Sequence, residues 1–138
     1  MSEIKKFVNS YIDTISEKIK KTNIKNLELS SKEIYKTILR NGSIYVCGNG
    51  GSAAIANHYV VDFLKFFREN SAYRPKIISL SNNIETITAV SNDIDYKYIF
   101  KYQAENLCKK NDLIIVISSS GNSKNIVELI KFAKKKKI

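Results

Sequence analysis

Two short stretches of small polar residues are where this chain could do chemistry. The first lies within CGNGGSAAIANHY, residues 47–59, where Gly48, Asn49, Gly50, Gly51 and Ser52 follow an apolar run and open a helical one. The second, Ser118-Ser119-Ser120-Gly121-Asn122-Ser123, stands in the same setting and is denser still in hydroxyls. Turns of this kind suit an anion. A helix N-terminus presents unpaired N–H groups and a positive dipole end, glycine lets the backbone approach closely, and serine adds donors without bulk or charge. The first turn carries Gly, Gly and Ala at 48, 50 and 53, a relaxed version of the dinucleotide spacing. A nucleotide is nevertheless poorly served: KIISLSNN offers no acidic residue for a ribose, and no P-loop lysine is present. The plainer reading of each turn, a strand-to-helix connection with its N-cap, stays open. Six residues beyond Ser52 stands His58, the only histidine of the chain. Asp62 follows at i+4, on the same helix face, so a partly buried histidine bonded to Asp62 is the plain reading there.

The elements that must position these residues can be read from periodicity. Ile4, Phe7, Val8, Tyr11, Ile12, Ile15 and Ile19 recur at helical spacing, which predicts an amphipathic helix over 3–21. TNIKN interrupts it. Ser30 and Glu33 form a capping-box pattern ahead of Ile34, Ile38 and Leu39, and Asn41-Gly42 ends this second helix. SIYVC (43–47) then reads as a buried strand, followed by the glycine turn and a helix over about 52–68. KIISL (76–80) is a second strand, Ile84 to about Val90 a helix, and about 95–109 another, with Tyr98, Ile99, Tyr102 and Leu107 as its apolar stripe. LIIVI (113–117) is apolar throughout, the pattern of a strand buried on both faces. A last helix covers about 124–136. Strands alternating with helices predict parallel β-α-β units, with both polar turns at strand carboxyl ends, where open α/β sheets bind ligands.

The chain has 138 residues, the length of a single domain. Its net charge is +10, but Lys131, Lys134, Lys135, Lys136 and Lys137 crowd the very end and the other basic residues are interspersed with acids. That distribution argues for a solvated lysine-rich surface and against nucleic acid, while still attracting anionic small molecules. No window approaches the ~18–20 apolar residues of a membrane span. MSEIKKFVNS has neither the apolar block nor the cleavage site of a signal peptide. Cys47 and Cys108 suggest neither a disulfide framework nor a metal cluster. The expectation is a cytoplasmic protein without a membrane partner.

GNGGSA after a strand, then AxxH, then SNDxxY, then ISSSGNS closing another strand, resembles the sugar isomerase (SIS) domain of bacterial phosphoheptose isomerases, with order and spacing matching over about residues 35–133. The resemblance implies a three-layer α-β-α, flavodoxin-like parallel sheet preceded by N-terminal helices, as one SIS domain: 1–41 the oligomer-forming helices, 42–138 a partial α/β core. It implies a homotetramer with active sites between subunits, interconverting sedoheptulose 7-phosphate and D-glycero-D-manno-heptose 7-phosphate for surface-polysaccharide heptose synthesis. Carried over residue by residue, Ser118, Ser119, Ser120 and Ser123 resemble the phosphate cradle, and Asn49, Gly50, Gly51 and Ser52 the sugar-binding turn. Asn92 and Asp93 match a pair near the substrate hydroxyls, and His58 matches the first ligand of a zinc site.

The sequence departs from that pattern in two places. The family has a glutamate four residues after the histidine, as zinc ligand or as the base that moves a proton between C1 and C2; here Asp62 stands there, one methylene shorter. Proton transfer is sensitive to such a change of reach. The family's further zinc ligands, a glutamine and a histidine, lie in a C-terminal helix that has no counterpart in these 138 residues, so the expected zinc site of His58 and Asp62 is incomplete. The chain also stops where a helix would hand over to a fourth strand, so it is expected to lack C-terminal strands. Two readings follow. One is an aldose–ketose isomerase with Asp62 as the retained base. The other is a truncated or non-catalytic SIS module that binds a phosphosugar or a protein partner such as the replication initiator.

Overall fold

The computed structural model describes residues 2–138, and its contacts divide the chain into two compact units, residues 1–32 and 33–138. The first holds α1 (Glu3–Lys20) and the opening turns of α2 (Ile24–Leu39). The start of α1 is well made: the Ser2 hydroxyl accepts from the Lys5 N–H at 3.3 Å, Glu3 lies at the positive end, and Lys18 and Lys20 at the negative one. No residue of α1 is buried, and its whole predicted stripe, Ile4 through Ile19, faces solvent.

The capping box expected at Ser30 and Glu33 does not form. Asn23 is the cap, its Oδ1 accepting from the Asn26 N–H at 3.0 Å, and the helix starts seven residues earlier than the pattern suggested. Ser30 sits in mid-helix, where its hydroxyl donates back to the Asn26 carbonyl, the usual outlet for a serine inside a helix. The break at 21–23 is correspondingly short.

The second unit is a three-layer α/β domain. Strands β1 (Ser43–Gly48), β2 (Lys76–Ser79) and β3 (Leu113–Ile117) form a parallel sheet in the order β2-β1-β3. The register sets Ile44 against Ile77 on one side and Leu113 on the other, and runs to Gly48 opposite Ile117. One face is covered by α3 (Gly51–Asn70) and the end of α2: Ala56, Tyr59, Phe63 and Ile38 pack on Ile44, Val46 and Ile77. The other face is covered by α4 (Ile84–Asp93), α5 (Ile99–Leu107) and α6 (Lys124–Lys136), whose Val90, Phe100, Ala104, Ile126 and Leu129 pack on Tyr45 and Cys47.

β1 is the strand buried on both faces; β3 is not, although its sequence predicts it. All five residues of β3 are only half-buried, because it pairs with β1 alone and forms an edge. The helix expected over 95–109 is shorter and differently turned. A 3-10 turn at Tyr96–Tyr98, capped by Asp95, precedes α5, and the buried side of α5 is Ile99, Phe100, Gln103 and Ala104. Tyr102 and Leu107, placed on its core stripe by spacing, are exposed. The stripe was misread because Gln103 is the core residue there: its amide donates to the Leu80 and Ile99 carbonyls, both at 2.9 Å, which makes its burial affordable. At the amino ends of the strands, the buried Asp112 carboxylate accepts from the Ser43 and Lys109 N–H groups, each at 2.7 Å, and so ties the start of β1 to the turn before β3.

Candidate functional site

Sheet order decides where a site can be. β1 lies between β2 and β3, so the helices leaving β1 and β3 start on opposite faces and leave a crevice between the two carboxyl ends. The two polar turns predicted from sequence flank that crevice.

The first turn is tightly braced. Gly48 is required by contact: a Cβ there would fall 2.6 Å from the Ser52 carbonyl oxygen. Gly50 is required by conformation, with φ +53°. The Ser52 N–H donates to the Asn49 carbonyl and the Ala53 N–H to that of Gly50, both at 2.9 Å, which starts α3. From the β2 side, the Ser81 hydroxyl donates to the Gly48 carbonyl at 2.9 Å and accepts the Gly48 N–H at 3.0 Å. From the β3 side, Asn49 and Asn125 exchange two amide hydrogen bonds of 2.9 and 2.8 Å, and the Tyr96 hydroxyl donates to Asn49 Oδ1 at 2.9 Å.

The second turn is held by its own hydroxyls. Ser118 Oγ accepts the Gly121 N–H at 3.1 Å and Ser120 Oγ the Asn122 N–H at 3.3 Å, with Gly121 at φ +65°. Each oxygen spends an acceptor position on the backbone, and the two hydroxyls lie 3.5 Å apart, so that one donates to the other and one proton is left between them. Ser123 is the N-cap of α6 yet makes no side-chain capping bond, so its hydroxyl is uncommitted. Neither α3 nor α6 has an acidic residue in its first turn, and α6 opens with Lys124. The positive dipole ends facing this crevice are thus not neutralised by their own helices. Nearby, the Lys97 N–H and ammonium hold the Asp95 carboxyl below its ordinary pKa.

The remaining predicted residues are placed but not gathered in. His58 and Asp62 share an outer face of α3, with Nε2 and Oδ2 3.4 Å apart and side chains 75% and 66% exposed. The histidine is therefore not the partly buried residue expected, because the sheet-facing stripe of α3 runs through Ala56, Tyr59 and Phe63 instead. At 1.5 Å per residue, Asp62 lies about 15 Å along the axis from Ser52. Asn92 and Asp93 end α4, exposed and bonded to each other at 2.8 Å.

Zinc finds two donors in His58 and Asp62, and no group of three or more His, Cys, Asp or Glu that could hold a metal exists among the described residues. A zinc site needs at least three protein ligands, so these residues do not complete one. Cys47 and Cys108 are not available as thiolates, since burial pushes both thiols up to about 12. A cavity of about 330 Å³ lies at the opposite end of the sheet, lined by Arg40, Ser43, Lys76, Lys109, Lys110 and Asp112, and contains none of the predicted site residues. No described helix is long and apolar enough to cross a membrane.

Sequence reasoning missed Asn125, Ser81 and Ser79. Asn125 left a signal: it occupies the core stripe of α6 beside Ile126, Leu129 and Phe132, where an amide has no reason to be unless it has partners. Ser79 and Ser81 left none, as a serine at the last position of a strand or just beyond it reads as an ordinary residue of the strand end. The Ser79 hydroxyl donates to Asn57 Oδ1 at 2.5 Å and accepts the Ser81 N–H, which sets Ser81 against Gly48.

A three-layer domain with a parallel sheet and two polar turns at its switch point defines the α/β class, and known proteins narrow it. The SIS domain model matches residues 7–138. The phosphoheptose isomerase of Campylobacter concisus is 36% identical over 132 residues, 96% of this chain and 68% of that protein. That of Thermodesulfovibrio yellowstonii is 34% identical over 122 residues, 88% of this chain and 60% of that protein. The chain thus spans between 60 and 68% of the length of these two curated relatives. A phosphoheptose isomerase structure from Francisella tularensis matches with a TM-score of 0.85 at 31% identity, covering 99% of this chain and 72% of that one. The fold is also that of phosphoheptose isomerase GmhA from Neisseria gonorrhoeae, with a TM-score of 0.84 at 24% identity, over 98% of this chain and 71% of that one. The chain belongs to the SIS-domain family and, within it, to the phosphoheptose isomerases.

Proposed function

We propose that this chain is an aldose–ketose isomerase acting on a seven-carbon sugar phosphate, sedoheptulose 7-phosphate to D-glycero-D-manno-heptose 7-phosphate, in the cytoplasm and in the service of surface-polysaccharide heptose synthesis. One observation carries this reading: two turns rich in hydroxyl and amide donors, not all of them spent within the chain, flank a single crevice at the carboxyl ends of β1 and β3. Ser118, Ser119, Ser120 and Ser123 would hold the phosphate against the N-terminus of α6, with Lys124 adding charge. Asn49, Gly50, Gly51 and Ser52 would meet the sugar, and Asn92 and Asp93 its hydroxyls. Isomerisation through an enediol needs a base to take the proton from one carbon and return it to the next. Asp62 is the candidate, and no step is assigned to zinc.

Asp62 lies far along α3 from the serine turn, which supports a site completed by a second copy of the chain, as in a homotetramer. The bare stripe of α1, from Ile4 to Ile19, supports the same assembly, with residues 1–41 as its helices. Turnover of sedoheptulose 7-phosphate by the 138-residue chain, with and without added zinc, tests the reading. Aldoheptose phosphate should form, and the S119A/S120A double variant should lose sugar-phosphate affinity at least about tenfold, the scale of one or two charge-assisted hydrogen bonds. Unchanged affinity would remove the cradle.

The exposed two-donor pair His58–Asp62, with aspartate where the family has glutamate, favours a second reading. In it the domain binds a phosphosugar or a protein partner, such as the replication initiator, without turnover. Tight sugar-phosphate binding with no product would establish it over the first.

A further inference from the structure

We propose that Asn125 and Tyr96 are positioning residues that hold the Asn49 carboxamide as a hydrogen-bond donor toward the ligand. The inference rests on the sugar-phosphate reading and deepens it, by stating what chemistry the first turn presents. The two ends of a carboxamide look alike in shape and differ only in hydrogen bonding, so which end faces a ligand must be fixed by neighbours. Here the chain of neighbours begins at a group of known polarity. The Ile126 backbone N–H can only donate, and it lies 2.9 Å from one terminal atom of the Asn125 side chain, which must therefore be oxygen. That oxygen also accepts from Asn49 at 2.9 Å, so the Asn49 atom facing it is nitrogen. The reciprocal bond of 2.8 Å runs from Asn125 Nδ2 to Asn49 Oδ1, and the Tyr96 hydroxyl donates to the same oxygen at 2.9 Å.

Counting positions gives the consequence. Asn49 Oδ1 has two lone pairs and both are taken, by Asn125 and Tyr96. Asn49 Nδ2 has two protons, of which one is spent on Asn125 and one is left. Turning the amide over would set nitrogen against the Asn125 nitrogen and oxygen against its oxygen, losing both exchanged bonds. Asn125 is 2% exposed, so water cannot compensate for that loss. Asn49 itself is half-buried and stands at the crevice. It therefore meets a ligand as a donor only, suited to a carbonyl or hydroxyl oxygen of the sugar. Because Asn125 lies in the first turn of α6, the same pair sets the spacing between this donor and the serine turn that precedes α6.

The test compares the 138-residue chain with its Asn125→Asp and Tyr96→Phe variants. Asn125→Asp keeps the oxygen that Ile126 and Asn49 Nδ2 need and replaces the donor to Asn49 Oδ1 by a second acceptor. Tyr96→Phe removes the other donor and nothing else. Side-chain amide hydrogen exchange, followed by NMR, should show one slow and one fast proton on Asn49 in the unsubstituted chain. Either variant should speed the slow one. Two equally fast protons in the unsubstituted chain would overturn the proposal whether or not any ligand binds. Titration with sedoheptulose 7-phosphate and, separately, with inorganic phosphate completes the test. Both variants should weaken the sugar phosphate by about tenfold, the loss of one oriented hydrogen bond, and leave inorganic phosphate within about twofold. Equal loss of both ligands would make Asn125 a mere support of α6, and no loss of either would leave Asn49 without a role; each overturns the proposal. If the unsubstituted chain binds inorganic phosphate but not the sugar phosphate, the functional reading falls, and the exchange measurement alone decides the positioning.

Discussion

The two turns at the crevice have the same residue types and opposite construction. The turn after β1 is fastened from outside: Ser81 grips both polar atoms of Gly48, Asn125 and Tyr96 grip Asn49, and there is no room for a Cβ at Gly48. The turn after β3 is fastened only to itself, through Ser118 and Ser120, and a Cβ at Gly121 would meet nothing within 4 Å. The difference follows from the strands. β1 is central, and its end has neighbours on both sides; β3 is an edge, and its end has one. On the function proposed above, a braced turn that presents donors in a fixed direction suits a sugar, and a turn held only by its own hydroxyls suits a phosphate, whose symmetry asks less of direction.

The largest expected effect tests how closed the braced side is. Cys47 immediately precedes Gly48 and is fully buried, with its thiol raised from 9.0 to about 12. In a Cys108→Ser background, a disulfide reagent at pH 8 should react with Cys47 at least about a hundredfold more slowly in the native chain than in denaturant, because the native thiol is buried and less ionised. Comparable rates would mean that the braced turn opens readily. The sign for stability is fixed as well. Below the unfolded value of about 9 both states keep the proton and nothing is lost; between pH 9 and 12 the unfolded chain ionises alone, and stability should fall.

Next comes Gly48→Ala. The intruding methyl must displace the backbone of Ser52, so denaturant titration should show a loss of about 3 kcal/mol, while Gly121→Ala should suffer only from its positive φ, about 1 kcal/mol. Equal losses would erase the contrast between the turns. Ser81→Ala strips the Gly48 N–H and carbonyl of a shared partner and should cost about 1–2 kcal/mol; S119A/S120A, on the self-held side, should change stability by less than about 0.5 kcal/mol. The smallest change is Gly51→Ala. That position is the first residue of α3, and a Cβ meets nothing there, so about 0.5 kcal/mol should be gained through the unfolded chain.

Much of this arrangement was legible in the residues. The change of period at Ser43, the glycine turn and the hydroxyl turn place both polar turns at strand ends from the residues alone, because turn chemistry is local. What failed depends on distant neighbours. LIIVI has the composition of a central strand because composition records hydrophobicity and not pairing; among the described strands it pairs with β1 alone. The Ser30–Glu33 pattern looks like a helix start because a capping box and a mid-helix serine share the same spacing; Asn23, seven residues earlier, outcompetes it. Asn125 left only its odd place in an apolar stripe, since its partner, Asn49, lies 76 positions away. His58 and Asp62 were correctly placed on one helix face, yet their exposure depends on which side of α3 meets the sheet.

The order β2-β1-β3 also has a consequence for biosynthesis. The central strand emerges from the ribosome first and acquires its partners in sequence, β2 by Ser79 and β3 only by Ile117. At about 5–20 residues per second, the intervening stretch takes roughly 2–8 s to synthesise. Throughout that interval the most deeply buried strand of the sheet has one ladder edge without a partner, and the Asp112 clasp that will seal its start has not been made. An unpaired strand edge is a general template for pairing with another chain, so the nascent chain would carry that hazard until Ile117 is made.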